Sequence, residues 1–167
     1  MIDDRESPMA VVVKHQKKPP VMLGPIAKEL GIPVKLVSLG KSIAGQIMRD
    51  PLHGGTSGFS IWINSDESRN RQKFTLAHEL AHYILHRDLI ESGIVDDTMY
   101  RSELGSVYET QANQLAADIL MPIRLIKKYR EQNPASDFSE LAKVFEVSEQ
   151  AMKIRLSGMR FNAQSAT

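Results

Sequence analysis

The chain has 167 residues, 42% hydrophobic and 25% charged, enough for one domain with a real core and a small appended lobe. Its formal net charge of +1 excludes an obvious electrostatic footprint for nucleic acid and leaves only a local patch. With no cysteine, disulfides and thiolate metal sites are excluded, so any metal must be held by His, Asp and Glu, donors more typical of catalytic than of structural zinc.

Residues 1–20 begin with the acidic Met1-Ile2-Asp3-Asp4-Arg5-Glu6 and end in Lys17-Lys18-Pro19-Pro20. Met9–Val13 is too short for a signal-peptide core, and no window holds the roughly 20 apolar residues of a membrane span. The reading is a cytoplasmic protein without a membrane partner, opened by a flexible leader that pairs at most as an edge strand through Val11–Val13. Ile26–Leu30 reads as a short helix stopped by Gly31. Val34–Leu39 and, less clearly, Ile43–Arg49 read as strands. The Gly- and Pro-rich 50–58 reads as a hairpin connection, and the alternating Phe59–Asn64 as the best strand.

Phe74, Ala77, Leu80, Ala81, Ile84 and Leu85 recur at helical spacing and predict a helix over 69–86. Residues 88–104 read as irregular. Tyr108, Ala112, Leu115, Ala116, Ile119 and Leu120 predict a second helix over 106–120, and Pro122 starts another through about Gln132. After Asn133-Pro134, two short helices are expected at Phe138–Phe145 and Ser148–Arg160, joined by a tight turn at Glu146-Val147. The order of helix, small sheet, then helices is α+β. The organisation is a 1–20 leader, a 21–132 core, and a 133–167 helical subdomain, helix-turn-helix-like in size, packed on that core.

The chemistry concentrates in His78-Glu79-Leu80-Ala81-His82. A four-residue spacing sets both imidazoles on one helix face, one turn apart, where two nitrogens can bind one ion. Glu79 sits beside them and can reach water at the ion without being a ligand, as a general base does. By composition the pattern arises by chance in about one such chain per hundred. The plainer reading, a surface helix with incidental histidines, fits poorly with the apolar residues around it, because polar groups on a buried helix need partners.

A third ligand is required. A continuation of the motif through a glycine turn would put Leu85 at the glycine and Asp88 at the ligand position, and Leu85 argues against that turn. Glu109 is better placed, at the edge of the second helix's apolar stripe, although a first-turn glutamate also suits a helix dipole. Asn113, one turn later, can accept the free ring N–H of a ligand histidine. His86 lies too far along the axis to bind the same ion and reads as a helix C-terminal histidine. His15 and His53 carry no assigned role. Tyr83, Tyr100 and Tyr108 remain open candidates for stabilising an oxyanion. The parts compose a metal-assisted hydrolysis with one Zn2+ per chain, and Mn2+ or Fe2+ suits the same donors.

Phe74-Thr75-Leu76-Ala77-His78-Glu79-Leu80-Ala81-His82-Tyr83-Ile84-Leu85-His86 and Glu109-Thr110-Gln111-Ala112-Asn113-Gln114-Leu115-Ala116-Ala117-Asp118-Ile119-Leu120-Met121-Pro122 resemble the core motifs of the ImmA/IrrE metallopeptidase family. Ser60–Asn64 and Leu141–Ser148 are similar to its pattern as well, so the likeness spans about residues 23–160. Ala81 stands where glycine is common in the family and Leu115 where phenylalanine is. The resemblance implies a gluzincin-type, zincin-like core followed by a small helical region. It implies His78, His82 and Glu109 as zinc ligands and Glu79 as the catalytic residue. It further implies cleavage of an Xre-type helix-turn-helix repressor, a partner whose loss releases mobile-element, phage or stress genes.

A competing reading makes the last two helices a DNA-binding or repressor-docking module beside a vestigial metal site, with Lys143, Lys153, Arg155 and Arg160 meeting phosphates. The toxin-like half of a two-gene system is a third. The plainer expectation is that Leu141, Val144, Val147, Met152, Ile154 and Leu156 pack these helices onto the core.

Overall fold

A computed structural model describes residues 6–91 and 103–165. The chain opens with α1 (Pro8–His15) and α2 (Leu23–Glu29), then β1 (Val34–Val37), β2 (Gly45–Arg49) and β3 (Phe59–Asn64). It continues with α3 (Arg69–Glu91), α4 (Glu103–Leu120), α5 (Ile123–Gln132), α6 (Phe138–Phe145) and α7 (Glu149–Ser165). This is the expected α+β order, a small three-stranded sheet set among helices.

Within the expected 1–20 leader, residues 8–15 form a helix. Ser7 caps α1, its Oγ accepting from Ala10 N–H at 3.2 Å, and Pro8 suits the first turn, where no N–H is required. Val11 and Val12 are buried in a helix face rather than a strand. The buried Gln16 donates from Nε2 to the carbonyls of Asp118 (3.0 Å) and Ile119 (2.9 Å), which ties the start of the chain to the end of α4. Three β-branched residues in a row suggest a strand, but the cap and the tertiary burial outweigh that local bias.

The sheet order is β1-β3-β2, with β3 parallel to β1 and antiparallel to β2. The central place explains why β3 is buried at nearly every position, Ile61 completely. Its last residue, Asn64, donates from Nδ2 to Gly40 O (2.6 Å) and Ile43 O (2.8 Å), which secures the approach to β2. Gly45 opens β2 where a Cβ would stand 2.9 Å from Trp62 O and 2.5 Å from Thr75 Cγ2 on α3, so the strand lies close against that helix.

Helices α3 and α4 pack together behind the sheet. Ala77 and Ala81 on α3, and Ala112 and Ala116 on α4, are all fully buried, and such small side chains permit a close interaxial approach. The helical path of α3 breaks at His86 (φ −129°, ψ 26°) and resumes to Glu91, so 88–91 is helix and not irregular; the rest of that expected irregular stretch, to residue 102, lies outside the described residues.

At the α6–α7 turn Glu146 takes a left-handed conformation (φ 54°) and pairs with Lys73 of α3 at 3.1 Å. Leu141, Phe145, Val147, Met152 and Leu156 are buried, whereas Ile154 is 67% exposed, contrary to the core position expected for it. No described helix is long and apolar enough to cross a membrane.

Because Val12 is 1% exposed, Val12→Asp should lower stability by about 3 kcal/mol, the effect of burying an unpaired charge. Thermal unfolding checks this; an unchanged Tm would return residues 8–15 to the role of a leader.

Candidate metal centre

Buried residues bracket the motif on α3, with Ala77, Leu80 and Ala81 all fully covered. That anchoring leaves the 78/82 face toward α4 and toward the cleft beside β2. His78 and His82 stack edge to face, ring centroids 4.6 Å apart at 86°. Their Nε2 atoms are 3.0 Å apart. Glu109 arrives from α4 with Oε2 at 3.0 Å from His78 Nε2 and Oε1 at 2.9 Å from His82 Nε2. One donor atom from each residue falls within a group less than 4.8 Å across.

Such a triangle suits a small cation. Ligands about 2.0–2.1 Å from a tetrahedral ion stand roughly 3.3 Å from one another, and these donors are 2.9–3.0 Å apart. The orientation of the rings agrees. Asn113 Oδ1 lies 2.8 Å from His78 Nδ1, and a carbonyl oxygen can only accept there, so the ring N–H points to Asn113. Once the proton it shares with Glu109 is lost, His78 carries its lone pair on Nε2, the atom that faces Glu109. The arrangement fits a metal ion held by His78, His82 and Glu109. Asp88 is exposed and outside this group.

Glu79 is 5% exposed yet lines the same cleft. The backbone N–H of Ile47 on β2 is near enough to favour its charged form. Burial pushes its carboxyl above the ordinary 4.5, against the pull of both neighbouring imidazoles. Burial also works against ionisation of Glu109, but its hydrogen bonds to His78 and His82 prevail and hold that carboxyl down at about 2. For His78, burial disfavours the charged ring, and the carboxylates of Glu109 and Glu79 outweigh it, so its pKa rises above 6.5.

The cleft has a volume of about 1070 Å³. One wall is β2 and its approach, from Ser42 to Ile47; the other includes Val147, Ala151 and Ile154 from the α6–α7 unit. Of the tyrosine candidates, Tyr83 is buried edge-on to Phe59 with Arg87 over its ring, and Tyr108 packs on His86; neither lines the cleft. Tyr100 lies outside the described residues. His15 pairs with Glu29 at 2.6 Å and His53 with Asp50 at 3.7 Å, both away from the centre.

His86 departs from the helix-end role expected for it. It is buried, its Nδ1 3.0 Å from His82 Nδ1 and its Nε2 2.8 Å from Gln111 Oε1. Burial lowers its pKa. The third histidine in a four-residue series, after His78 and His82, was the available signal for His86; Gln111 had none, since it lies off the Glu109–Asn113 face.

The sequence profile of the peptidase M78 group, the IrrE N-terminal-like domain, matches residues 27–157. The chain belongs to the ImmA/IrrE metallopeptidase family. It is 42% identical over 90 residues, 53% of this chain, to the radiation response metalloprotease IrrE of Deinococcus radiodurans. It is 42% identical over 66 residues, 40% of this chain, to the protein of the same name from Deinococcus deserti. These alignments cover only 27% and 24% of the two relatives. A Mycobacterium tuberculosis transcriptional regulator shares the fold at TM-score 0.57 and 21% identity, over 90% of this chain and 46% of that one. The matched family region takes in both walls of the cleft as well as all three donors.

Two outcomes follow for the metal. Elemental analysis should find about one ion per wild-type chain and much less in His82→Ala and Glu109→Ala, since each removes one of three protein ligands. Without metal, the His78–Glu109 attraction stabilises fully between the ordinary carboxyl and imidazole values, 4.5 and 6.5. It fades as pH falls toward about 2 and as pH rises through His78's raised value. A metal must displace the His78 proton, so affinity should strengthen with pH across the imidazole range. Calorimetry in buffers of different ionisation enthalpy should therefore detect proton release on binding, and its absence would show His78 already neutral.

Proposed function

We propose that the chain is a zinc-dependent endopeptidase that hydrolyses a peptide bond in an Xre-type helix-turn-helix repressor and so relieves repression of mobile-element, phage or stress genes. The observation that carries this reading is a buried carboxylate, Glu79, beside three convergent donors in an open cleft with a strand along one wall. Family membership supports the metallopeptidase chemistry. The two relatives, each named a radiation response metalloprotease, support the stress connection.

His78, His82 and Glu109 would hold the zinc, in a zincin-like core of the gluzincin type. When bound, zinc supplies Lewis acidity, polarising a carbonyl and acidifying water. The protein's own part falls first to Glu79. Its burial raises its affinity for a proton, against the smaller opposing effect of the nearby Ile47 N–H. It takes the proton of the attacking water and returns it to the nitrogen of the departing amine as the C–N bond breaks. The β2 strand stands at one edge of the sheet, β3 on its other side, so an extended peptide can pair along it with its backbone beside Glu79. This suits internal cleavage of a chain that runs on in both directions.

The α6–α7 pair, helix-turn-helix-like in size, is a cleft wall in this reading and not a nucleic-acid surface. Arg155 binds Asp118 at 2.8 Å and the Met121 carbonyl at 3.0 Å, and Lys153 lies 4.3 Å over the Phe138 ring. Two of the four cations that would meet phosphates are thus engaged within the fold; Arg160's side chain lies outside the described residues.

The test is incubation of the zinc-loaded chain with Xre-type repressors and mass spectrometry of the products. Glu79→Gln should keep its metal while cleavage falls about a thousandfold, within the range of a lost general base. Robust cutting by that variant would remove the base assignment. An intact repressor beside a wild type that cuts other unfolded chains would remove the substrate and leave the chemistry.

A further inference from the structure

We propose that His86 and Gln111 are positioning residues, a line of two hydrogen bonds that sets the tautomer of His82 and keeps its Nε2 lone pair turned to the metal. The inference rests on His82 being a metal donor. The two Nδ1 atoms of His82 and His86 are 3.0 Å apart, so one proton lies between them. Two assignments satisfy that pair. In the first, His82 Nδ1–H donates, His86 Nδ1 accepts, and His86 carries its proton on Nε2. In the second, every proton moves over and His82 Nε2 is protonated, which abolishes its lone pair.

His86 by itself is indifferent, because a neutral imidazole offers one donor and one acceptor in either form. The choice is made at the far end. Gln111 turns its carbonyl Oε1 to His86 Nε2 at 2.8 Å, and a carbonyl accepts only, which selects the first assignment when a metal takes the place of the proton between His82 Nε2 and Glu109 Oε1. Asn113 performs the same service for His78 in one step, through Oδ1 at 2.8 Å. Helix α4 therefore supplies the ligand Glu109 and both amide carbonyls that orient the two histidines. The longer line needs His86 buried and close, and it stands where α3 departs from helical geometry. Tyr108, ring centroid 4.8 Å away, covers its other side.

The experiment compares Gln111→Glu, which still accepts, with Gln111→Met, which has similar volume and no carbonyl. Gln111 is exposed, so neither change disturbs the core, whereas His86→Leu risks misfolding. Side-chain 15N NMR of the zinc-loaded protein reads the tautomer of His86, and competition with a chromophoric chelator reads zinc affinity. The wild type and Gln111→Glu should both show His86 neutral with the proton on Nε2, and equal or tighter binding in the glutamate variant. Gln111→Met should show mixed tautomers and about tenfold weaker zinc binding. Space filling alone would leave the methionine variant unchanged in both readouts, and that result overturns the proposal. So does a wild-type His86 protonated on Nδ1. Both readouts are taken without substrate, so absent peptidase activity does not touch them. A wild type that takes up no zinc would overturn the metal reading, and this inference with it.

Discussion

Three electron-rich atoms converge on one point between α3 and α4, and the rest of the molecule is organised around tolerating that convergence. Two imidazole lone pairs and a carboxylate facing one another at 2.9–3.0 Å repel unless a cation or shared protons lie between them. The arrangement therefore has to be held from behind. Buried alanines on both helices let the backbones close together. The Asn113 and Gln111 amides dictate which ring nitrogens carry protons. Burial of Glu79 keeps its carboxylate near but distinct from the three donors.

The distant ends of the chain serve the same helix. Gln16, following α1, satisfies the carbonyls of Asp118 and Ile119 where α4 runs out of internal partners. Arg155 of α7 reaches the Met121 carbonyl and the Asp118 carboxylate in the same place, and Arg124 at the start of α5 donates to the Gln16 carbonyl at 2.6 Å. The end of α4 is thus gripped by residues more than a hundred positions apart, and its other half carries Glu109 to the donors. Lys73 and Glu146 add a link between α3 and the α6–α7 turn. The cleft wall made by α7 and the metal helices are thereby braced against each other. That coupling places the exposed Ile154 on the cleft rather than in the core.

Much of this is legible in one dimension because it depends on local spacing. Histidines four apart share a face of any α-helix, so the pairing of His78 with His82 needs no tertiary information. The same holds for Glu109 and Asn113. The alternation of Phe59–Asn64 marked the central strand, and Gly31 marked the end of α2, where its positive φ of 72° accommodates the turn. The misreadings have a common cause. Val11–Val13 looked like strand and His86 like a helix-end charge because what settles them, the burial of Val11 and Val12 in the core and the bond from His86 to Gln111, depends on residues remote in sequence. Ile154 looked like core because periodicity marks a face and not what covers it.

The donor types, the glutamate beside them and the α+β order of elements could all be read along the chain. Each follows from composition or from the 3.6-residue turn, both properties of a short stretch of chain. That Glu109 meets the histidines, that β2 and α7 wall the cleft, and that His86 stands behind His82 emerged with the fold. Those are distances between segments far apart in the chain, and they depend on how closely the helices pack and on which buried polar groups find partners there.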